Sequence, residues 1–163
     1  MIALSYAEEG HHKPAAEARR AAVALGHPAT GAACAVDAAR ASLQLGQVQR
    51  ALTALDRVDP SQLDPATRGD WLTARGHALV ANKDVDAAAK VLADAVAAHR
   101  VGDERGLGAA LFLLGQVEGM RGNGQACGEA LGEALLITAR LGLPEQRVIR
   151  AAIERIHAQA GQV

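Results

Sequence analysis

The chain has 163 residues, of which half are hydrophobic but only 2% are aromatic, and its formal net charge is −1. The 17 basic and 18 acidic residues are spread along the sequence without a basic patch or a basic amphipathic stretch, so we expect no nucleic-acid partner and no membrane partner. Alanine and leucine dominate and β-branched residues are sparse, which predicts an all-α protein. The opening MIALSYAEEGHH lacks a signal-peptide pattern, which favours a cytoplasmic location.

The first part of the chain predicts two helical hairpins in succession. Residues 1–28 are expected to form an N-terminal capping hairpin, interrupted at Pro14. A first repeat, 29–60, follows, with a long helix from about Ala29 to Leu45 and a shorter one from Val48 to about Val58. Gly46 separates these two helices, since glycine commonly ends a helix.

The second part predicts two further hairpins and a last helix. In the second repeat, 61–102, Asp64 and Asp84 stand where N-caps are expected. The third repeat, 103–143, has a tight turn at Arg121-Gly122-Asn123-Gly124. A C-terminal capping helix, 144–160, follows Pro144, and its predicted apolar face comprises Val148, Ala152, Ile153 and Ile156.

The three hairpins align position by position. Gly46, Lys83 and Gly122 occupy equivalent places in the turns, 37 and 39 residues apart. Small residues precede the turn by seven positions, and small residues and leucines follow it at fixed distances. We expect two helices to approach closely at these small residues. The aligned sets are Ala39, Gly76 and Gly115 before the turn, then Ala51, Ala88 and Cys127, then Leu55, Leu92 and Leu131.

This pattern resembles the tetratricopeptide repeat, in which Leu-Gly in the first helix is followed by a small residue, a large apolar residue and an alanine in the second. The third hairpin matches best, and the first is degenerate. The usual mid-helix tyrosine is replaced by Ser42, Leu79 and Glu118, and the period exceeds the family's typical length. The long period is similar to that of repeats in the regulatory arms of bacterial transcription activators. The matching residues are Leu111, Leu114, Gly115, Cys127, Leu131 and Ala134.

The resemblance implies a single domain, an α-solenoid of antiparallel hairpins whose first helices line a concave groove. Such a groove suits a protein or peptide partner. For Phe112 and Met120 the alternative is that they fill core space between helices. The residues expected in the groove are Arg40, Leu43, Asp70, Thr73, His77, Val80, Ala109, Phe112, Gln116, Met120 and Ile149.

No catalytic, cofactor or metal motif is recognisable, so we expect no enzyme and no cofactor. The six histidines show no metal-ligand spacing and are expected in exposed or loop positions. The sequence therefore predicts a non-catalytic binding scaffold. The alternatives are a sensing or dimerisation arm of a bacterial transcriptional regulator and, thirdly, a domain that responds to a small ligand or a metal.

Gly124, Gly128 and Gly132 form a row on the second helix of the third hairpin. Each interior glycine costs about 1 kcal/mol relative to alanine, so a compensating close contact is expected there. We expect that contact to be packing against the final helix. The alternative is a seam for self-association, which would make the protein a homodimer.

Overall fold

The computed structural model describes residues 28–160, and this part of the chain is all helical, as predicted from the composition. The predicted capping hairpin in residues 1–28 lies outside the described residues, apart from Pro28. The bounds of the seven α-helices and of one short 3₁₀ helix, Pro60–Gln62, are as follows: α1 Pro28–Gln44, α2 Val48–Leu55, α3 Pro65–Ala81, α4 Val85–His99, α5 Glu104–Met120, α6 Gly124–Arg140 and α7 Gln146–Ala160.

Aspartates cap three of the seven α-helices. The carboxylate of Asp64 accepts hydrogen bonds from the backbone N–H groups of Ala66 and Thr67, and that of Asp84 accepts one from Ala87. Each bond satisfies a donor that the first turn of a helix leaves unpaired. The two caps predicted from the sequence are thereby confirmed, and Asp103 caps α5 in the same way.

The helix α2 ends at Leu55, three residues earlier than predicted. The Leu55 carbonyl accepts hydrogen bonds from the Val58 N–H at 3.1 Å and from the Trp71 indole N–H at 3.0 Å. Asp59 has an extended backbone, which is the conformation favoured before Pro60. The chain therefore leaves the helical path between Leu55 and Asp59.

Each hairpin turn contains one residue in the left-handed conformation. Its φ is +70° at Gly46, +64° at Lys83 and +80° at Gly122, and Gly142 has the same conformation between α6 and α7. In every case the N–H of the next residue bonds back to a carbonyl five residues earlier, as from Asn123 to Glu118 at 2.9 Å. This is the Schellman arrangement that ends many helices. The positions aligned in the sequence thus share one backbone conformation.

The two helices of a hairpin meet where the repeat has its small residue. A Cβ atom added to Gly76 would lie 2.5 Å from Leu92 Cγ, and one added to Gly115 would lie 2.7 Å from Leu131 Cγ. The aligned residue of the first hairpin, Ala39, is fully buried. The predicted close approach is confirmed, and in the second and third hairpins the space excludes even alanine.

The hairpins pack in sequence. The first helices contact one another, α1 against α3 and α3 against α5, and each second helix also contacts the first helix of the next hairpin or, for α6, the final helix α7. The buried side chains form successive clusters along this arrangement instead of one central core. The sides of α1, α3 and α5 that face away from the second helices therefore adjoin one another, and we refer to them as the first-helix surface.

Candidate binding surface and buried polar cluster

Most of the residues predicted to line a groove reach the surface. Two are half-buried, Thr73 and Phe112, and the exposed ones are Arg40, Asp70, His77, Ala109, Gln116 and Met120. Leu43 and Val80 are partly buried and pack against core clusters. Among the exposed residues, the charge of Arg40 on α1 affects the pKa values of Asp70 and His77 on α3.

Arg40 on α1 acts on two residues of α3. Partial burial raises the pKa of the Asp70 carboxyl, a rise that the charges of His99 and Arg40 oppose. Partial burial also lowers the pKa of His77, and the Arg40 charge adds to this lowering. The structure therefore brings Arg40, Asp70 and His77 into one electrostatic environment on the first-helix surface.

Ile149 does not belong to that surface. It is 1% exposed and lies in the core cluster that joins α5 and α6 to α7. Val148, predicted to lie on the buried face of this helix, is instead 54% exposed. Successive helical residues are about 100° apart around the axis, so an error of one residue exchanges a buried and an exposed position. The assignment of Ile149 to a groove was wrong for this reason.

Phe112 and Met120 behave differently from each other. Phe112 packs against the same core cluster as Ile149 while part of its ring stays accessible, so the core interpretation holds in part and its place in a groove stays a prediction. Met120 is 62% exposed, which contradicts the alternative that it fills core space. It lies at the edge of the molecule where the hairpin turns are, beside Val85 and Asp86.

A buried histidine lies behind the α3 part of this surface. His99, at the end of α4, is 1% exposed, which corrects the expectation that the histidines occupy exposed or loop positions. Its ring lies between Gly69 of α3 and Gly106 of α5. A Cβ atom on Gly69 would come within 2.7 Å of the ring, and one on Gly106 would overlap it. The two glycines provide the space that the imidazole occupies.

The hydrogen bonds around His99 determine where its ring protons lie. The Thr73 hydroxyl donates its proton to the Gly69 carbonyl at 2.8 Å, and its oxygen is 3.2 Å from His99 Nε2. A hydroxyl has one proton to donate, so this oxygen accepts a hydrogen bond from Nε2–H. The other ring nitrogen, Nδ1, is buried and has no hydrogen-bond partner.

The Asp103 carboxylate lies beside that nitrogen, and a second carboxylate is near the ring. Asp103 Oδ2 lies 2.9 Å from His99 Nδ1, a charge contact outside hydrogen-bonding geometry, while Asp103 Oδ1 accepts from the Gly106 N–H at 2.9 Å. One oxygen or nitrogen atom from each of Asp70, His99 and Asp103 lies within 4.8 Å of the other two. We call Asp70, Thr73, His99 and Asp103 the His99 cluster.

Sequence reasoning missed this cluster apart from Asp70 and Thr73, which were assigned to the groove. The spacing of His99 and Asp103 was a usable signal, because a residue at a helix end and the N-cap of the next helix are close in space. Asp70 is distant in sequence and joins them only through helix packing. His11, His12 and His27 lie outside the described residues, as does the side chain of His157.

The glycine row on α6 faces open space. Within the described part of the chain, no atom outside the local backbone lies within 4 Å of a Cβ placed on Gly124, Gly128 or Gly132. The expected packing of this row against the final helix was therefore wrong, since α7 does not cover it. The seam for self-association stays a prediction.

Comparison with known proteins gives no match to a protein-family model, to a curated protein or to a solved structure. Among residues 28–160, no helix combines the length and the apolar character needed to cross a bilayer.

Proposed function

We propose that this chain is a non-catalytic scaffold of the tetratricopeptide type, an α-solenoid that binds a protein or peptide segment on its first-helix surface. One observation carries the proposal: α1, α3 and α5 contact one another in order. Stacked first helices present one continuous surface, which is how helical repeats bind extended partners.

The chemistry of the surface supports a peptide ligand. Arg40, Asp70 and His77 supply charged and hydrogen-bonding groups on α1 and α3, and α5 adds the exposed amide of Gln116 and the accessible edge of Phe112. A few directional polar groups beside an aromatic anchor suit a short helix or an extended segment. A peptide with both acidic and basic side chains beside an apolar residue would complement this surface.

The test is affinity capture from the source organism, followed by titration of the captured partner against purified variants. His77→Ala and Gln116→Ala remove exposed groups from α3 and α5. We expect each to weaken binding several-fold without altering the circular dichroism spectrum. Lys90→Ala, which changes an exposed residue of the second helix α4, is the matched control and should bind like wild type. Equal affinity of the partner for all of these proteins would refute the proposed surface.

A second candidate function has its own supporting observation. The uncovered glycine row on α6 leaves room for close approach by another helix, which would let the chain self-associate, as the dimerisation arm of a bacterial transcriptional regulator does. Light scattering on wild type and Gly128→Leu distinguishes the two candidates. A wild-type dimer that Gly128→Leu converts to a folded monomer supports the second candidate, and an oligomeric state that the substitution leaves unchanged rejects the seam.

A further inference from the structure

We propose that Asp70, His99 and Asp103 form a binding site for a divalent transition-metal ion, with Zn²⁺ as the ion that their chemistry fits best. The proposal is independent of the peptide-binding function. It rests on a buried nitrogen without a hydrogen-bond partner, on the Asp103 carboxylate beside it and on the Asp70 carboxylate nearby.

The hydrogen bonds of the His99 ring leave its Nδ1 atom without a partner. Because Nε2 carries a proton toward Thr73, a neutral ring has a bare lone pair at Nδ1. Asp103 Oδ2 lies 2.9 Å from Nδ1, to one side of that lone pair, so two acceptors stand close together. Buried polar atoms are almost always satisfied. A cation between the two atoms satisfies both.

The distances fit a shared metal ion. Zn²⁺ lies about 2.0–2.1 Å from a histidine nitrogen and about 2.0–2.2 Å from a carboxylate oxygen, so two ligands on one ion are about 3.3–3.5 Å apart in a tetrahedral site and about 2.9 Å apart at an angle of about 90°. The Nδ1 to Oδ2 separation of 2.9 Å fits the right-angle arrangement, and the Asp103 carboxylate must move slightly outward for a tetrahedral one. Asp70 offers a carboxylate oxygen within 4.8 Å of an atom of each of the other two residues, and its side chain is exposed, so it would complete the ligand set by a side-chain rotation.

Two of the three proposed ligands are held in place by hydrogen bonds to neighbouring groups, as metal ligands usually are. A metal-bound histidine usually donates its other ring N–H to a fixed acceptor, which orients the ring. Thr73 is that acceptor for His99, and its own proton is held by the Gly69 carbonyl. Asp103 is oriented by the Gly106 N–H. Two of the three ligands are therefore positioned before any ion binds.

The donor set selects the class of ion. One imidazole and two carboxylates suit Zn²⁺, Co²⁺ and their neighbours better than Ca²⁺ or Mg²⁺, which prefer oxygen ligands alone. Three protein ligands leave at least one coordination position for water or for another ligand. Since Asp70 belongs to the first-helix surface, that open position is accessible from the same side.

The experiment titrates metal-stripped protein with Zn²⁺ by calorimetry and with Co²⁺ by visible absorption. We expect one ion per chain with ligand-field bands of bound Co²⁺. In ¹⁵N spectra of the histidine rings, His99 should show a metal-bound Nδ1 and a protonated Nε2. This spectrum distinguishes the proposed site from adventitious binding at the other histidines.

Two variants remove a ligand without removing a structural role. Asp70→Asn changes an exposed residue, and Asp103→Asn keeps an N-cap on α5 because asparagine caps helices as well as aspartate does. Each should weaken Zn²⁺ binding about 10-fold or more. Asp84→Asn, the same change at the N-cap of α4, and His77→Gln are the controls and should bind Zn²⁺ like wild type.

Three results would overturn the proposal. They are the absence of a stoichiometric Zn²⁺ or Co²⁺ complex in folded wild type, unchanged affinity in both Asp70→Asn and Asp103→Asn, and a His99 ring spectrum that does not respond to the metal. Where the circular dichroism spectra of both variants match wild type, loss of affinity in these variants and not in the controls assigns the ligands directly.

Discussion

The ends of the second and third hairpins are equivalent in the repeat but differ in chemistry. A shift of 39 residues along the sequence superimposes the turn of the second hairpin on that of the third. The same shift pairs the polar residues of the His99 cluster with apolar or small residues of the third hairpin. The aligned pairs are Asp70 with Ala109, Thr73 with Phe112, His99 with Thr138 and Asp103 with Gly142. Gly69, which contacts the His99 ring, aligns with a second glycine, Gly108.

The third hairpin shows what the repeat itself requires at this place. Thr138 is buried, and its hydroxyl donates to the Ala134 carbonyl at 2.9 Å within its own helix. Gly108 lies beside it, and an added Cβ would be 3.3 Å from Ile137 Cγ2, the nearest atom. No polar atom is left unsatisfied there in the described structure. The hairpin packing therefore does not need a buried histidine, and the His99 cluster is an addition to the repeat.

The largest difference is expected when the two aligned side chains are truncated. His99→Ala removes one of the largest fully buried side chains and should lower the free energy of unfolding by about 2–3 kcal/mol, mainly through the cavity it leaves. Thr138→Ala removes a smaller group with a local hydrogen bond and should cost about 1 kcal/mol. Urea denaturation followed by circular dichroism, in the presence of a chelator, measures both. Equal losses would mean that the two positions play the same structural role.

The aligned glycines provide the next test. Gly69→Ala would place a methyl group 2.7 Å from the His99 ring, and overpacking of this kind costs about 1–3 kcal/mol, partly offset by about 1 kcal/mol of helix propensity. Gly108→Ala meets only the 3.3 Å contact and should change stability by less than about 0.5 kcal/mol. Thermal or urea unfolding of the two variants measures these changes in stability. A Gly69→Ala protein more stable than wild type would contradict the position of the His99 ring.

A smaller effect separates two glycines within the third hairpin. Gly128→Ala adds a methyl group where the described chain has open space, so it should stabilise the protein by about 0.5–1 kcal/mol. Gly115→Ala, which would meet Leu131, should destabilise it. The change in the free energy of unfolding of each variant is obtained from its urea midpoint, provided that the dependence of that free energy on urea concentration is unchanged. Loss of stability in Gly128→Ala would indicate a contact on the glycine row, as in a dimer, and a concentration series would then locate it.

The smallest effect concerns His77, which the same alignment pairs with Gln116. The pKa of His77 is lowered by burial and by Arg40 from its usual value of 6.5, so just below that value the unfolded chain binds more protons than the folded one. Stability should therefore fall as the pH falls through this window. His77→Gln should show a weaker fall than wild type in unfolding measured between about pH 7 and pH 5. Identical pH dependence in the two proteins would show that His77 is not perturbed.

The sequence was sufficient for features that depend on local chemistry. Gly46 and Gly122 predicted the turns because glycine tolerates a left-handed backbone, and Asp64 and Asp84 predicted helix starts through their side-chain caps. The close approach at Gly76 and Gly115 followed from the alignment of the repeats. In each case the signal and its structural consequence lie within a few residues or within one hairpin.

The features that the sequence did not predict depend on how helices meet. Asp70 reaches His99 only because α3, α4 and α5 pack together, and no spacing in the sequence encodes that distance. Ile149 was misplaced because the face that α7 buries depends on how this helix is oriented about its axis against α5 and α6. The glycine row was expected under α7, but its exposure depends on where that helix crosses α6.

The hydrogen bond from the Trp71 indole to the Leu55 carbonyl gives the protein a spectroscopic property. Trp71 is the single tryptophan of the chain and lies in the cluster shared by α1, α2 and α3, so its fluorescence reports on the first hairpin and its neighbour alone. Circular dichroism reports on all the helices. In a linear array each hairpin is stabilised mainly by its neighbours, and the two signals need not change together on unfolding. The difference between the two transitions would measure how far cooperativity extends along the chain.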